Sequence, residues 1–223
     1  MKKFFRHIAG LFLKVFYPRL YFIEKNNAEV GRLVKNITTS KISKKAKILG
    51  TAQVGNSEIG DYTYVGSNSV INLTKIGKFC SIGPNLVCGL GIHPTNGLST
   101  SPAFYSKSNI FGNIFTDEDK IIEYLPITIG NDVFIGMNVI VIDNVTIGDG
   151  AIIGAGSVVS KDIPPYAIAV GSPIRIIKYR FDQQTIDQLL KIKWWDFDDN
   201  ELQDVERLFF NPHEFIRKYE NKI

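Results

Sequence analysis

The sequence contains three histidines, His7, His93 and His213, and only His93 lies far from both ends of the chain. Imidazole titrates close to neutral pH, so a histidine can take a proton from a substrate hydroxyl and pass it on. His93 stands in the stretch GLGIHPTNGLSTSPAFYS, which is rich in glycine, serine and threonine. A reaction that needs a histidine base at the centre of this molecule therefore has one candidate residue.

The same stretch carries hydroxyl groups, beginning with the serines of STSP at residues 99–102. A serine nucleophile needs a base and an acidic partner for that base, and no second histidine or acidic residue lies nearby in sequence. We therefore expect these side chains to shape the loop and to hydrogen-bond a substrate. The candidates for substrate contact are Thr95, Ser99, Thr100 and Tyr105.

An internal period of six residues indicates how these side chains are positioned. Aliphatic anchors recur at every sixth residue in one block: Ile129, Ile135, Val141, Ile147, Ile153 and Val159. An earlier block has spacings of five or six: Ile48, Val54, Ile59, Val65, Ile71, Ile76, Ile82 and Cys88. A helix of 3.6 residues per turn cannot keep a period of six on one face, whereas a strand with a period of two can. Such hexapeptide repeats predict a parallel β-helix with the anchors stacked in its interior.

Two further features follow from the repeat. Glycine follows most of the anchors, and we interpret it as the residue that permits the tight corner between faces. Cys80 and Cys88 fall on inward positions and have no metal-binding spacing, so we expect buried, reduced thiols.

The repeat is interrupted between Cys88 and Ile127, and His93 lies within the interruption. Residues 89–126 are too many for a simple connection in a compact repeat, and loops of this length commonly carry function. A purely structural solenoid would have no reason to place its central histidine there. We therefore predict that this loop carries the chemistry.

These features together resemble the left-handed β-helix acyltransferases. The hexapeptide blocks, TKIGKFCSIGPN, the loop HPTNGLSTSPAFY and the tail VVSKDIPPYAIAVGSPIRIIKYRFDQQTIDQLLKIKWWDFD carry the resemblance, over roughly residues 50–200. They are most similar to the xenobiotic (CatB-type) acetyltransferases and their relatives that O-acetylate surface polysaccharides. The resemblance implies a mainly β fold, a left-handed parallel β-helix with three faces per turn. It also implies a homotrimer, and a loop that carries the catalytic His93 toward the next subunit.

The function that this resemblance implies is O-acetylation. An acetyl group would move from acetyl-coenzyme A, the co-substrate, to a hydroxyl of a sugar in a surface polysaccharide or its precursor. The transfer would be direct, with His93 as general base, and would require no metal. The acceptor is either a small-molecule or a lipid-linked sugar. O-acetylation of an antibiotic and N-acetylation of a sugar are the alternatives.

The resemblance also implies positions for coenzyme A binding. In hexapeptide acetyltransferases with the pattern GAGS…TKDIPP…GxPxRxIR, the pantetheine arm runs between neighbouring β-helices. The matching residues are Met137, Ala155, Ser160, Lys161, Arg175 and Lys178. Ala155 would lie beside pantetheine, and Arg175 and Lys178 toward the nucleotide phosphates, whereas Met137 replaces a frequent serine. The alternative for the three cations is a solvated basic edge.

A zinc enzyme of the same architecture is a different class of hypothesis. β-Helix carbonic anhydrases hold zinc through three histidines. Here His7 and His213 lie in the segments at the two ends of the chain, so three converging histidine ligands are not expected.

We divide the chain into three parts. Residues 1–28 are predicted to form a basic amphipathic helix, residues 29–175 the β-helix with its excursion 89–126, and residues 176–223 a helical extension. The stretches FDQQTIDQLLKIKWW, DDNELQDVERLFF and PHEFIRKYE predict the helices of that extension. Trp194 and Trp195 are expected to pack there.

Charge and composition limit the partners. Residues 1–50 hold 12 Lys and Arg against 2 Asp and Glu, yet they contain no recognised nucleic-acid motif, so we expect no nucleic acid. The N-terminal helix either contacts a membrane surface through residues 1–20 or packs on protein. Without an apolar stretch long enough to span a bilayer, we expect a cytoplasmic protein, with the inner face of the membrane as one location.

Overall fold

A computed structural model describes residues 39–112 and 115–220 of the chain. The helix predicted within residues 1–28, the membrane contact predicted for residues 1–20, and His7 all lie outside the described residues. In the part that is described, no helix combines the length and the apolar character that a bilayer crossing requires.

Short strands follow one another in sets of three, and each set makes one coil of a β-helix. In chain order they are β1 (Lys41–Ile42), β2 (Lys47–Ile48), β3 (Ala52–Gly55), β4 (Glu58–Ile59), β5 (Tyr64–Val65), β6 (Ser69–Asn72), β7 (Thr74–Ile76), β8 (Ser81–Ile82), β9 (Val87–Cys88), β10 (Ile127–Ile129), β11 (Phe134–Ile135), β12 (Ile140–Val141), β13 (Thr146–Ile147), β14 (Ile152–Ile153) and β15 (Val158–Val159). Two longer strands follow, β16 (Ala167–Val170) and β17 (Arg175–Tyr179). The first fifteen strands make five complete coils.

Equivalent strands of successive coils pair in parallel and form three sheets. The first sheet contains β1, β4, β7, β10 and β13, and the third contains β3, β6, β9, β12 and β15. The second contains β2, β5, β8, β11, β14 and β16, and ends with β17, which is antiparallel. Anchors lie over anchors, since Ile129 pairs with Ile147 and with Ile76. The predicted fold class, a left-handed parallel β-helix with a long excursion and C-terminal helices, is confirmed.

The interior of the coils is a stack of aliphatic side chains. Residues two apart in a strand point to the same side, and accordingly the anchor Ile135 and its neighbour Val133 are both buried. Cys80 and Cys88 are also buried, as predicted. Burial raises the pKa of the Cys80 thiol to about 12 and that of Cys88 to about 11, so neither is a nucleophile at neutral pH.

At the corners, the residue that turns the chain is not the one predicted. Positive φ occurs three residues after an anchor, at Asp132 (54°), Asn138 (58°) and Asn144 (64°), because asparagine and aspartate tolerate this conformation. A glycine that directly follows an anchor is instead required by space. A Cβ at Gly136 would lie 2.6 Å from the backbone nitrogen of Ala155 in the next coil. The interpretation that these glycines supply conformational freedom at the corners is therefore wrong, apart from Gly89 (φ 71°), where the chain leaves the coils.

Beyond β17 the chain forms the three predicted helices, α1 (Gln183–Ile192), α2 (Leu202–Arg207) and α3 (Pro212–Tyr219). Their apolar residues pack together with Tyr166 of the β-helix: Ile186, Leu189, Leu208, Phe215, Ile216 and Tyr219. Trp195 is buried and Trp194 packs against this cluster, as expected. Strand β17 (Arg175–Tyr179) spans the boundary between residues 175 and 176, at which we divided the β-helix from the helical extension.

Candidate active site

The excursion leaves the third sheet after Cys88 and enters the first sheet at Ile127, at one corner of the β-helix. We call this the loop corner; it also includes residues 142–144 and 160–162 of the following coils. The carboxylate of Asp143 holds both ends of the loop, because it accepts hydrogen bonds from the backbone nitrogens of Gly91 (3.2 Å) and Leu125 (3.1 Å).

The two ends of the loop also contact each other directly, next to His93. The backbone N–H of Ile92 donates to the carbonyl of Glu123 at 2.7 Å. Gly91 has φ of 95°, and a Cβ there would lie 2.9 Å from the Tyr124 ring, so both conformation and space require glycine. This pairing places His93 and Glu123 on adjacent segments, although they are distant in sequence.

The Nδ1 atom of His93 faces two oxygens. It lies 3.0 Å from the carbonyl oxygen of Thr100 and 2.7 Å from the hydroxyl of Tyr105. A carbonyl only accepts hydrogen bonds, so this contact favours the tautomer with the proton on Nδ1. The Nε2 atom then carries a free lone pair, and in the described residues it has no hydrogen-bond partner. The exposed imidazole is therefore set up to accept a proton at Nε2.

Tyr105 is fixed from several directions. It follows a short 3₁₀ turn, Pro102–Phe104, whose first N–H groups are capped by Ser101. Its carbonyl accepts from Lys120 N at 2.8 Å, and its ring meets the His93 ring edge-on with centroids 6.2 Å apart. Burial, with a smaller effect of the Glu123 charge, raises the pKa of Tyr105 above its usual value, so the hydroxyl is protonated at neutral pH.

The structure places the four predicted substrate contacts differently. Thr100 contacts His93 through its main-chain carbonyl. Tyr105 contacts the same histidine through its side-chain hydroxyl. The Ser99 hydroxyl accepts a hydrogen bond from Ser101 N at 3.0 Å within the loop. Thr95 is exposed on the loop surface.

A pocket of about 340 Å³ opens beside His93, which is within the size range of small-molecule sites. Its polar lining includes Ser106, Ser108, Asn109 and Glu123, and Tyr124 contributes a ring. Our reading of the sequence did not select Ser106 or Glu123. A signal for Glu123 exists, since a loop that leaves and returns at one corner brings together the residues near its two ends. His93 is five residues after Cys88, and Glu123 is four before Ile127.

The six positions predicted to bind coenzyme A lie in three places. Met137 and Ala155 stack at the corner between the second and third sheets, where Gly156 N donates to the Met137 carbonyl at 2.9 Å. Ser160 and Lys161 lie at the loop corner, and Arg175 and Lys178 on β17. The third sheet separates Met137 and Ala155 from His93, so one chain does not bring these residues together.

Three of the six predicted positions are cationic side chains. Lys161, Arg175 and Lys178 are exposed, and none forms an ion pair with another described residue. Free surface cations suit a ligand with several phosphates. No group of three or more metal-ligating side chains occurs among the residues that the structure describes.

Comparisons with known proteins give one type of match. The family model "Bacterial transferase hexapeptide (six repeats)" matches residues 126–161. A probable macrolide acetyltransferase of Lysinibacillus sphaericus is 40% identical over 170 residues, which cover 72% of this chain and 89% of that protein. A chloramphenicol acetyltransferase of Agrobacterium fabrum is 39% identical over 126 residues, which cover 54% of this chain and 58% of that protein.

Among solved structures, a hexapeptide-repeat acetyltransferase from Vibrio cholerae, complexed with acetyl-coenzyme A, matches with a TM-score of 0.51. The two sequences are 26% identical, and the match covers 65% of this chain and 72% of the other.

Proposed function

The chain belongs to the bacterial hexapeptide-repeat acetyltransferases, and from this we propose that it moves an acetyl group from acetyl-coenzyme A to a hydroxyl of a sugar. The sugar belongs to a surface polysaccharide or to its precursor, and His93 is the general base. One observation carries the proposal: the Thr100 carbonyl at His93 Nδ1 leaves Nε2 free to take the acceptor proton.

The acetyl group can pass directly from the thioester to the hydroxyl, without an acyl-enzyme intermediate. The thioester supplies an activated carbonyl carbon. His93 Nε2 takes the proton of the acceptor hydroxyl while the acceptor oxygen bonds to that carbon. When the carbon–sulfur bond breaks, the same proton passes from Nε2 to the departing sulfur. The Thr100 and Tyr105 oxygens stabilise the intervening imidazolium through its Nδ1–H.

We assign the binding of acetyl-coenzyme A, the acetyl donor, to the positions outside the loop. Met137 and Ala155 offer an open corner for the pantetheine arm, followed by Ser160 and Lys161. Arg175 and Lys178 face the nucleotide phosphates. Their exposure, and their lack of ion pairs to described residues, support this role.

We further propose that the protein is a homotrimer whose sites lie between subunits. The base and the pantetheine positions occupy different corners of one chain, so a neighbouring chain must complete each site. The outward residues of the third sheet are mostly apolar: Val70, Val87, Ile140 and Val158. The outward residues of the first sheet are charged or polar: Lys41, Glu58, Lys75, Thr128 and Thr146. This difference favours the third sheet as a contact surface.

The location of the acceptor is part of the same proposal. The basic and apolar residues 1–20 suit contact with the inner face of a membrane, where a lipid-linked sugar would be presented.

A second candidate function is acetylation of a hydroxylated antibiotic. Two relatives, at 40% and 39% identity, are named as macrolide and chloramphenicol acetyltransferases. The same base and the same donor site would serve, because the acceptor group is again a hydroxyl.

The test is release of coenzyme A across a panel of sugars and antibiotics. We expect turnover with at least one hydroxylated acceptor, and a loss of at least about 100-fold in His93→Ala with retained folding. His213→Ala, an exposed histidine in α3, is the matched control and should match the unsubstituted protein. Equal turnover by His93→Ala would contradict the mechanism, and turnover of antibiotics alone would select the second function.

A further inference from the structure

We propose that the pocket between His93 and Glu123 binds the acceptor through Glu123 and Ser106, and that the Glu123 carboxylate selects an uncharged or cationic polyhydroxylated ring over an anionic one. This inference rests on the proposed function, because it concerns the acceptor side of the same reaction.

The position of the pocket fits a substrate whose hydroxyl must reach His93. His93 lines the pocket from the first part of the loop, Glu123 from the last part and Ser106 from the middle. The hydrogen bond from Ile92 N to the Glu123 carbonyl fixes the distance between the two sides. The Asp143 carboxylate anchors both sides to the coil below. The pocket is therefore formed before any ligand enters.

Two polar groups in the pocket have no partner in the described part of the chain. The hydroxyl of Ser106 is one, although Ser106 is only 3% exposed and its backbone N–H and carbonyl are both hydrogen-bonded. The half-buried carboxylate of Glu123 is the other, with neither a donor nor a cation beside it. Buried polar groups in folded proteins are nearly always hydrogen-bonded, and those left open in a pocket are suited to a ligand.

The chemistry of these groups defines the ligand class. An ionised carboxylate accepts hydrogen bonds through two oxygens, and a serine hydroxyl can donate and accept. Neighbouring hydroxyls of a sugar ring can donate to both carboxylate oxygens while a further hydroxyl faces His93 Nε2. Asn109 and Ser108 lie along the same wall and extend its polar surface.

The charge of the pocket excludes one class of sugar. Glu123 is the acidic residue of the lining, and no lysine or arginine lines the pocket among the residues described. A uronate or another anionic ring would bring a second negative charge close to Glu123. Juxtaposed like charges repel each other, so an acidic acceptor binds poorly.

The experiment compares Glu123→Gln with the unsubstituted protein, using neutral hexosides, amino hexosides and the matching hexuronates as acceptors. Loss of a hydrogen bond to a charged group should lower kcat/KM for neutral and amino acceptors about 10- to 100-fold. The preference for neutral over uronate acceptors should fall at least about tenfold. The KM for acetyl-coenzyme A should not change, because the positions assigned to coenzyme A lie outside this pocket.

Glu118→Gln is the matched control, since Glu118 is exposed in the same loop and does not line the pocket. It should keep the activity and selectivity of the unsubstituted protein. Ser106→Ala tests the other group and should lower kcat/KM for neutral acceptors without changing the preference over uronates.

The outcomes separate this inference from the proposed function. If Glu123→Gln keeps the unsubstituted selectivity while His93→Ala is inactive, the acceptor assignment is wrong and the proposed function stands. If no sugar or antibiotic is acetylated by the unsubstituted protein, the proposed function itself fails.

Discussion

At the scale of single residues, one nitrogen of His93 has two oxygen neighbours that differ in kind. The Thr100 carbonyl belongs to the main chain, so no side-chain substitution removes it. The Tyr105 hydroxyl can be removed by changing one atom. The two contributions to the orientation of the base can therefore be separated by experiment.

The substitution Tyr105→Phe keeps the buried ring and its edge-on packing against His93 but deletes the hydroxyl. We expect kcat to fall about tenfold, because an imidazolium loses one of its two acceptors in the transition state. The KM for acetyl-coenzyme A should be unchanged, since the hydroxyl contacts His93 Nδ1 within the loop and the positions assigned to coenzyme A lie outside the loop. Steady-state kinetics measures both quantities.

A purely structural role of Tyr105 would give a different result. In that case Tyr105→Phe would leave kcat unaltered, whereas Tyr105→Leu would lower the melting temperature and the amount of active protein. Thermal unfolding of both variants distinguishes loss of packing from loss of the hydroxyl.

Sequence reasoning could select His93 but not its surroundings. His93 was identifiable because it is the central histidine and lies where the repeat stops. The path of the loop follows no period, so nothing in the sequence places the Thr100 carbonyl or the Tyr105 hydroxyl at Nδ1. Glu123 lies near the other end of the loop, so the sequence indicates that it returns to the same corner, but its place beside His93 depends on how residues 89–126 close.

At the scale of elements, the stacking of coils limits what can occupy a corner. Two types of position recur at the corners after the anchors, and they have different requirements. The first requires the absence of a side chain, as at Gly136, and the third requires a left-handed backbone, as at Asn144.

These requirements predict effects of substitution that differ in size. Gly136→Ala should lower the free energy of unfolding by about 1 to 3 kcal/mol, because its Cβ would overlap the backbone at Ala155. Asn144→Gly should change it by less than about 0.5 kcal/mol, because glycine adopts φ of 64° readily. Urea unfolding measures both, and equal effects would contradict the distinction.

The strands and their register were predictable from the sequence, whereas the structural roles of the corner residues were not. A period of six fixes which residues face inward, and burial of both anchor and i−2 residue follows from the period of two in a strand. Whether a glycine serves conformation or close approach depends on the neighbouring coil, and that coil is distant in sequence.

At the scale of the whole molecule, one protomer carries the proposed base and the proposed pantetheine positions on two different corners. The proposed trimer follows from this separation and from the apolar outer surface of the third sheet. Ile140, on strand β12 of that sheet, is 43% exposed.

Ile140→Glu tests the assembly, because a carboxylate in an apolar contact between subunits must be desolvated. We expect light scattering to report the mass of one chain instead of three, with loss of turnover and retained β-sheet circular dichroism. Thr128→Glu on the first sheet is the control and should remain trimeric. A trimeric and fully active Ile140→Glu protein would exclude the third sheet as the contact surface.

The excursion separates two neighbouring coils in sequence but does not change how these coils stack. Strand β10 pairs with β7 in the register that an unbroken repeat would give, with Ile129 over Ile76, although residues 89–126 separate their coils in sequence. The entropy of closing a loop rises slowly with its length, by about 0.6 kcal/mol for each doubling. Relatives could therefore exchange or lengthen this segment and acquire new acceptors while the donor side and the scaffold stay as they are.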